Sequence, residues 1–414
     1  MNLAGPDCGN DTQTSAFVSE NRVKRVRVLV ANRPRLMREL VMATISDQPD
    51  IEVVGEVVDE GELTEVVEQV QPDVLILAIN KYFYTILGKR LDGRIQIISS
   101  DLRVFETWRN VAAMDVRGSS LEIPVAILKD LDCEFSLDLF LASEIPPGTG
   151  LGSSASVCVN ILKTLTTYQN QPLSKYALAE HAFRIARGVL GRHVGRQDEF
   201  AAAFGGLNFI TFHPGGRTEV APLDLDPGVL RDFQSGLMLF FTGSSHHSWT
   251  ILQEQEDSTR GRGGAAVEAL HQVRALADQM LNALQAGDLD LFGTLLDKGW
   301  QAKKRISGKI SNPRIDHIYE LALSNGALGG KIAGAGGGGF LLLYCPPRRQ
   351  EAVCAALAAE GVKDMAFGFD SNGAQIVVND PFIDGDERAG LRWIFQPVAA
   401  LDTLRQPEDV SRHR

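Results

Sequence analysis

The segment that most constrains this chain is Ile145–Ser156, IPPGTGLGSSAS, which joins an alternating apolar run to an amphipathic stretch. Gly148, Gly150 and Gly152 carry no side chain, so the backbone can close around a ligand that a Cβ would keep out. The periodicity predicts a helix from Ser153, with Val157, Ile161, Leu162 and Leu165 on one face. N–H groups of such a loop, together with a helix N-terminus, suit phosphate oxygens. Two familiar phosphate loops are excluded by spacing. No lysine precedes Ser153 or Ser154, as a Walker A loop requires, and a dinucleotide fingerprint needs glycine where Ser153 stands.

Glycine is also the compositional oddity of the chain. There are 40 glycines in 414 residues, where average usage gives roughly 29. Three lie in the loop above and eight between Gly326 and Gly339. A hydrophobic content of 44% with 22% charged residues excludes a mainly disordered chain. The net charge of −11 speaks against a nucleic-acid binder or a protein held on anionic membranes. Five cysteines without CxxC spacing fit neither a disulfide framework nor a zinc site. Met1–Glu20 lacks the pattern of a signal peptide, and no apolar stretch has the length of a membrane span. The expectation is a cytoplasmic protein with neither nucleic acid nor membrane as partner.

Near the N-terminus, VRVLV, IEVVGEVV and DVLIL alternate with helical stretches at Pro34–Ser46 and Leu63–Val70. This predicts a βαβαβ segment with parallel strands. It resembles the first half of a bacterial response-regulator receiver domain. The positions that would hold the metal and accept the phosphate are Asn32, Arg33 and Ala78. Alanine has no nucleophilic oxygen and the Asn/Arg pair supplies no negative charge, so phosphorelay by this segment is not expected.

From Ile79 onward the pattern changes. INKYFYTILG and GRIQIIS read as strands, and LEIPVAILKDL and CEFSLDLFLA as further apolar or alternating runs. Ser174 is a helix N-cap candidate, with Leu178, Ala182, Ile185 and Val189 on the inner face. Further helices are predicted over Val267–Gln285 and Leu289–Ile306. The first carries Leu270, Val273, Ala277, Met280, Leu281 and Leu284 inward. RGRGG, at Arg260–Gly264, reads as a flexible loop.

PPGTGLGSSAS resembles the second motif of the GHMP family of small-molecule kinases. GALGGKIAGAGGGGFLLLYCP resembles the third motif, and VGRQDEFAAAFGGLNFI the segment carrying the catalytic aspartate. With INKYFY, WQAKKRISGKISNPRID and FFTG, the resemblance covers about 300 residues and lies closest to the heptose-phosphate kinases of that family. It implies an α+β fold with two domains, mixed sheets and helices on one face, behind the βαβαβ receiver-like segment. The expected division is a disordered N-terminus over 1–24, the receiver-like segment over 25–78, an ATP-binding domain over 79–225, a C-terminal domain over 226–380 and a tail over 381–414.

The resemblance further implies ATP and Mg²⁺ as cofactors and a sugar phosphate as substrate, with D-glycero-D-manno-heptose 7-phosphate going to the 1,7-bisphosphate. Asp198 is then the group that orients or deprotonates the attacking hydroxyl, and Arg196 balances charge on the phosphoryl group. Pro147, Gly148, Thr149, Gly150, Leu151, Gly152, Ser153, Ser154 and Ala155 are implied around the ATP phosphates. Ser154 is implied at the metal, and Gly334, Ala335, Gly336, Gly337 and Gly338 in the active-site loop. The chain departs from the family at two places. The family's first motif is absent, and Ala186 stands where a metal-binding glutamate is usual. These departures motivate an alternative, a catalytically impaired nucleotide-binding regulatory module.

Other candidates read more plainly. His246 and His247 are adjacent, which suits loop positions better than a metal site. Lys303, Lys304 and Arg305 read as a solvated helix face in preference to a phosphate contact, and Phe292 and Trp300 as core. A homodimer is left open.

Overall fold

The computed structural model describes residues 26–31, 51–57, 74–213, 216–243, 250–255 and 265–379. β1 (Val26–Ala31) and β2 (Ile51–Val57) pair in parallel and belong to a unit of their own. The helices expected over Pro34–Ser46 and Leu63–Val70, Asn32, Arg33, the RGRGG loop, the histidine pair and the tail lie outside the described residues.

The third strand of the expected βαβαβ segment is placed differently. β3 (Val74–Leu77) pairs antiparallel with β8 (Leu207–Phe212), far along the chain. Its short apolar VLIL run can serve either sheet, and the register with Leu207, Asn208, Phe209 and Ile210 decides which. Ala78 continues this joint: its N–H donates to the Gly206 carbonyl at 2.9 Å and its carbonyl accepts from Asp370 N–H at 3.0 Å.

β3, β8 and β9 (Thr218–Pro222) form one antiparallel sheet. A second sheet has the order β4 (Phe83–Lys89), β7 (Leu137–Ser143), β5 (Ile95–Ser99), β6 (Val104–Trp108). Only its β5–β7 pair is parallel. Alternation along β5 and β7 buries Ile95, Ile97, Leu137, Leu139 and Leu141. Their core is completed by α1 (Glu122–Asp130), α2 (Ser153–Tyr168), α3 (Lys175–Arg184) and α4 (Gln197–Phe204). The opposite face of the sheet leaves Tyr84, Ile86 and Phe105 exposed.

The apolar run LEIPVAILKDL folds as α1. Pro124 falls in the first turn, where no N–H is needed, and Pro124 through Leu128 are all buried. A run buried on every side carries no periodicity to distinguish helix from strand. The Ser174 cap is observed, its hydroxyl accepting from the Ala177 N–H at 3.2 Å. Leu178, Ala182 and Ile185 lie inward, but Val189 is 43% exposed. A π-turn over Ile185–Val189 inserts one extra residue per turn, with Leu190 N–H reaching the Ile185 carbonyl. The helical face is thereby rotated before Val189.

The C-terminal half contains α5 (Pro227–Gly236), β10 (Leu237–Phe241), α6 (Ala265–Gln285), α7 (Leu289–Lys304), α8 (Pro313–Ser324), β11 (Gly329–Ile332), β12 (Phe340–Tyr344), α9 (Pro347–Ala359) and β13 (Lys363–Asp364). The sheet order is β11-β12-β10-β13, all antiparallel. Trp300 and Phe292 are buried, as expected. α7 lies directly on β11: a Cβ at Gly329 would come 2.0 Å from the Gly293 carbonyl oxygen. Tyr319 adds a clamp, donating to Asp297 at 2.7 Å and accepting from the Gly330 N–H at 3.1 Å.

The two halves meet where the glycine segments touch. A Cβ on Gly150 (φ +82°) would sit 2.5 Å from the Ala333 carbonyl oxygen, and one on Gly334 (φ +66°) 2.7 Å from that of Gly150. Gly150→Val is expected to cost roughly 2–4 kcal/mol in chemical denaturation, from strain plus overlap with backbone that has nowhere to go. Gly191→Ala, at φ +65° but with nothing within 4 Å of the new Cβ, should cost only about 1 kcal/mol. Equal losses would refute the interlock.

Candidate active site

The interlocked loops form one wall of a cavity of ≈ 430 Å³. Gly150, Leu151 and Gly152 reach it from the first loop, Ala333 and Gly334 from the second, and Gln197 and Asp198 from the start of α4. Lys303 at the end of α7 and Lys331 on β11 add two ammonium groups to the lining, which also includes Lys81 and Asp370. Deeper in, the lining becomes apolar, with Phe292, Trp300 and Leu342. A shallower groove of ≈ 740 Å³ between α6 and α7, lined by Gln272, Gln279 and Lys298, lies open at the surface away from the glycine loops.

Asp198 is positioned by packing against the first loop. Gly152 has φ +68°, and a Cβ there would meet Asp198 Cβ at 3.5 Å and Cγ at 3.6 Å. Asp198 keeps a partly accessible face, which belongs to the cavity wall. Burial raises its pKa above the ordinary carboxylate value, while a hydrogen bond with Gln197 and the charges of Lys303 and Lys331 oppose the rise. Glu199, next in the helix, is 3% exposed and pushed up to about 8 by burial and by Asp198. Its Oε2 has no hydrogen-bond partner, as suits a protonated acid kept in the core.

The lysines show the opposite effect of the same environment. Burial lowers Lys303 to about 7, repulsion from Lys331 adds to the fall, and Asp198 opposes it. Lys331 is also lowered by burial. Lys303 Nζ donates to the Gly334 carbonyl at 2.5 Å. The expectation of a solvated face therefore fails for Lys303 and holds for the exposed Arg305, which bonds Gln272, while the half-buried Lys304 pairs with Asp316. The end of α7 turns one side toward the cavity, which a run of three basic residues cannot reveal.

Arg196 is engaged elsewhere. Its guanidinium donates to Glu180 at 3.1 Å and lies 4.8 Å from the centre of the Phe183 ring; it is not part of the cavity wall. Other basic residues of this region are also balanced. Arg184 bonds Asp130 at 2.7 Å and 2.8 Å, and Arg192 forms an ion pair with Glu122.

Within the first loop, Thr149 is fully buried and its hydroxyl donates to the Pro146 carbonyl at 2.9 Å. Pro147 is exposed, Gly148 and Ser153 are half-buried, and Ala155 is in the core. In the second loop only Ala333 and Gly334 line the cavity. Ala335, Gly336, Gly337 and Gly338 are buried beneath it, with Gly337 N–H donating to the Ile310 carbonyl at 2.7 Å. These residues support the loop more than they face a ligand.

The cradle fits a nucleotide's phosphates. The first loop has the close backbone approaches that a Cβ would fill, and it leads into the N-terminus of the long helix α2, whose first-turn Ser154 is exposed. A magnesium ion held by the protein fits less well. Ser154 Oγ accepts from Arg192 at 2.7 Å, Asp198 faces two ammonium groups, and Ala186 offers no oxygen donor from its side chain. Among the described residues no group of three or more His, Cys, Asp or Glu side chains could hold a metal ion. Nor is any described helix long and apolar enough to cross a membrane.

Comparison with known proteins agrees with this geometry. The GHMP kinases N terminal domain family matches residues 122–206, and the GHMP kinases C terminal family residues 280–363. A D-glycero-alpha-D-manno-heptose 7-phosphate kinase of Campylobacter jejuni is 33% identical over 311 residues, covering 73% of this chain and 90% of the relative. Among solved structures, a D-glycero-D-manno-heptose 1-phosphate kinase from Bacteroides thetaiotaomicron is 26% identical with a TM-score of 0.61, covering 74% of this chain and 92% of the other. A putative sugar kinase from Campylobacter jejuni is 31% identical with a TM-score of 0.60, covering 73% and 88%.

The buried ammonium of Lys303 makes a stability prediction. Its folded pKa is about 7 against an ordinary lysine value of 10.5, so between these values the unfolded chain binds more protons and stability rises with pH. Lys303→Met should stabilise the ligand-free protein at neutral pH, and urea titrations should show that advantage shrinking toward pH 10. A constant advantage across that range would contradict the buried charge.

Proposed function

The chain belongs to the GHMP kinase family, and on that premise we propose that it transfers the terminal phosphoryl group of ATP to a hydroxyl of a sugar phosphate, D-glycero-D-manno-heptose 7-phosphate going to the 1,7-bisphosphate. The observation that carries this reading is Asp198 set against Gly152 of the phosphate loop inside the same cavity as two lysines. The similarity to heptose-phosphate kinases supports the choice of substrate.

On this reading the first loop and the start of α2 hold the ATP phosphates through backbone N–H groups. Asp198 accepts the proton of the attacking hydroxyl. Its raised pKa makes it a stronger base than an exposed aspartate, and its fixed position against the loop keeps the hydroxyl in line with the phosphoryl group. Gln197 orients the carboxylate. Mg²⁺ enters this proposal as a companion of ATP, and the donors of the chain do not form a cage for it.

Phosphoryl transfer needs Asp198 ionised, so kcat should fall as pH drops through its raised pKa and recover above it. Asp198→Asn should lower kcat by on the order of 10³-fold or more while nucleotide binding survives, in a coupled ADP-release assay across heptose and hexose phosphates. Equal ADP release by wild type and variant would overturn the role of Asp198. Nucleotide binding without ADP release on any sugar phosphate would favour a regulatory binding module.

A further inference from the structure

We propose that Lys303 and Lys331 form a two-ammonium subsite that holds the terminal phosphoryl group of the nucleotide during transfer, and that they are not the seat of the phosphate already present on the sugar. This rests on the kinase reading above and adds two catalytic residues to it.

The placement is built by the backbone. Lys303 ends α7 and Lys331 lies on β11, and these elements touch directly at Gly293 and Gly329, where a Cβ would come 2.0 Å from a carbonyl oxygen. Tyr319 ties the same pair together through Asp297 and Gly330. These contacts fix the helix against the strand, and so the backbone from which each lysine side chain starts. Lys303 Nζ is held on the Gly334 carbonyl at 2.5 Å, and Gly334 packs on Gly150 of the phosphate loop. The subsite is therefore anchored to the loop that takes the nucleotide.

The ion inventory is incomplete without a ligand. Two ammonium groups and the carboxylate of Asp198 act on one another here, and Lys81 and Asp370, which also line the cavity, are not among the charges that act on these three. Lys331 makes no side-chain hydrogen bond or ion pair among the described residues, and its charge is felt by Asp198 and Lys303. Buried cations without matching anions are costly. A phosphoryl group carrying negative charge on its oxygens would complete the set and restore the lysines to their charged form.

Position decides which phosphate this is. Both ammonium groups act on Asp198, and Asp198 marks where the acceptor hydroxyl loses its proton. There the hydroxyl oxygen forms the new O–P bond as its proton passes to Asp198. The bond from phosphorus to the bridging oxygen breaks, and its electron pair leaves on ADP. Negative charge on the phosphoryl oxygens is thus met by Lys303 and Lys331 at the point of transfer. The phosphate at the far end of a heptose chain is remote from that hydroxyl.

The test is the ratio of ATP to ADP affinity, read by calorimetry in magnesium-containing buffer, which needs no turnover. Lys303→Met and Lys331→Met should each weaken ATP binding about tenfold or more, with ADP affinity kept within about twofold as evidence of an intact fold. In steady state both should lower kcat by on the order of 10²-fold, leave the KM for sugar phosphate unchanged, and regain part of the loss as arginine variants. ATP and ADP weakening together, or neither weakening, would overturn the subsite. So would a raised KM for sugar phosphate at an unchanged ATP-to-ADP ratio. Wild type that binds neither nucleotide would instead bring down the kinase reading itself, and the subsite with it.

Discussion

The structure depends on the contact between Gly150 and Gly334. Gly150 lies against the Ala333 carbonyl and Gly334 against the Gly150 carbonyl, each at a distance no Cβ tolerates, so two loops separated by more than 180 residues in the chain behave as one wall. The bond from Phe340 N–H to the Thr149 carbonyl at 3.2 Å and the grip of Thr242 on the Gly339 carbonyl at 2.8 Å continue it on either side. Asp198 leans on Gly152 and Lys303 is held by Gly334, so the groups of opposite charge inherit their separation from this contact.

That wall creates an electrostatic conflict inside the folded protein. Asp198 is pushed toward its neutral form and the two lysines toward theirs, all by burial, while their mutual attraction pulls each back. Two positive charges facing one negative charge is a poor arrangement for stability and a good one for receiving an anion. Outside the cavity the same surroundings keep their charges balanced, as Arg184 with Asp130, Arg192 with Glu122 and Arg196 with Glu180 show.

Much of this was legible in the linear pattern. Helices α2 and α3 start where the apolar spacing and the Ser174 cap indicate, and α6 and α7 start and stop near the residues expected. Where the linear pattern ran out, the physical reasons act over distance. LEIPVAILKDL hides its periodicity because every residue from Pro124 to Leu128 is buried. Val189 turns outward because a π-turn shifts the face. Val74–Leu77 joins β8 because pairing is chosen by the sheet available, and a run of four apolar residues expresses no preference.

The sequence by itself determined the two glycine segments, the aspartate in its motif and the acidic, core-forming composition, because these follow from residue type and local spacing. Only the tertiary structure decided which cations serve Asp198. Arg196, two residues away in the chain, turns to Glu180 and Phe183, whereas Lys303 and Lys331, more than a hundred residues away, line the same cavity. Adjacency along a helix sends side chains to different faces, and proximity across a cavity is set by how helix and strand pack.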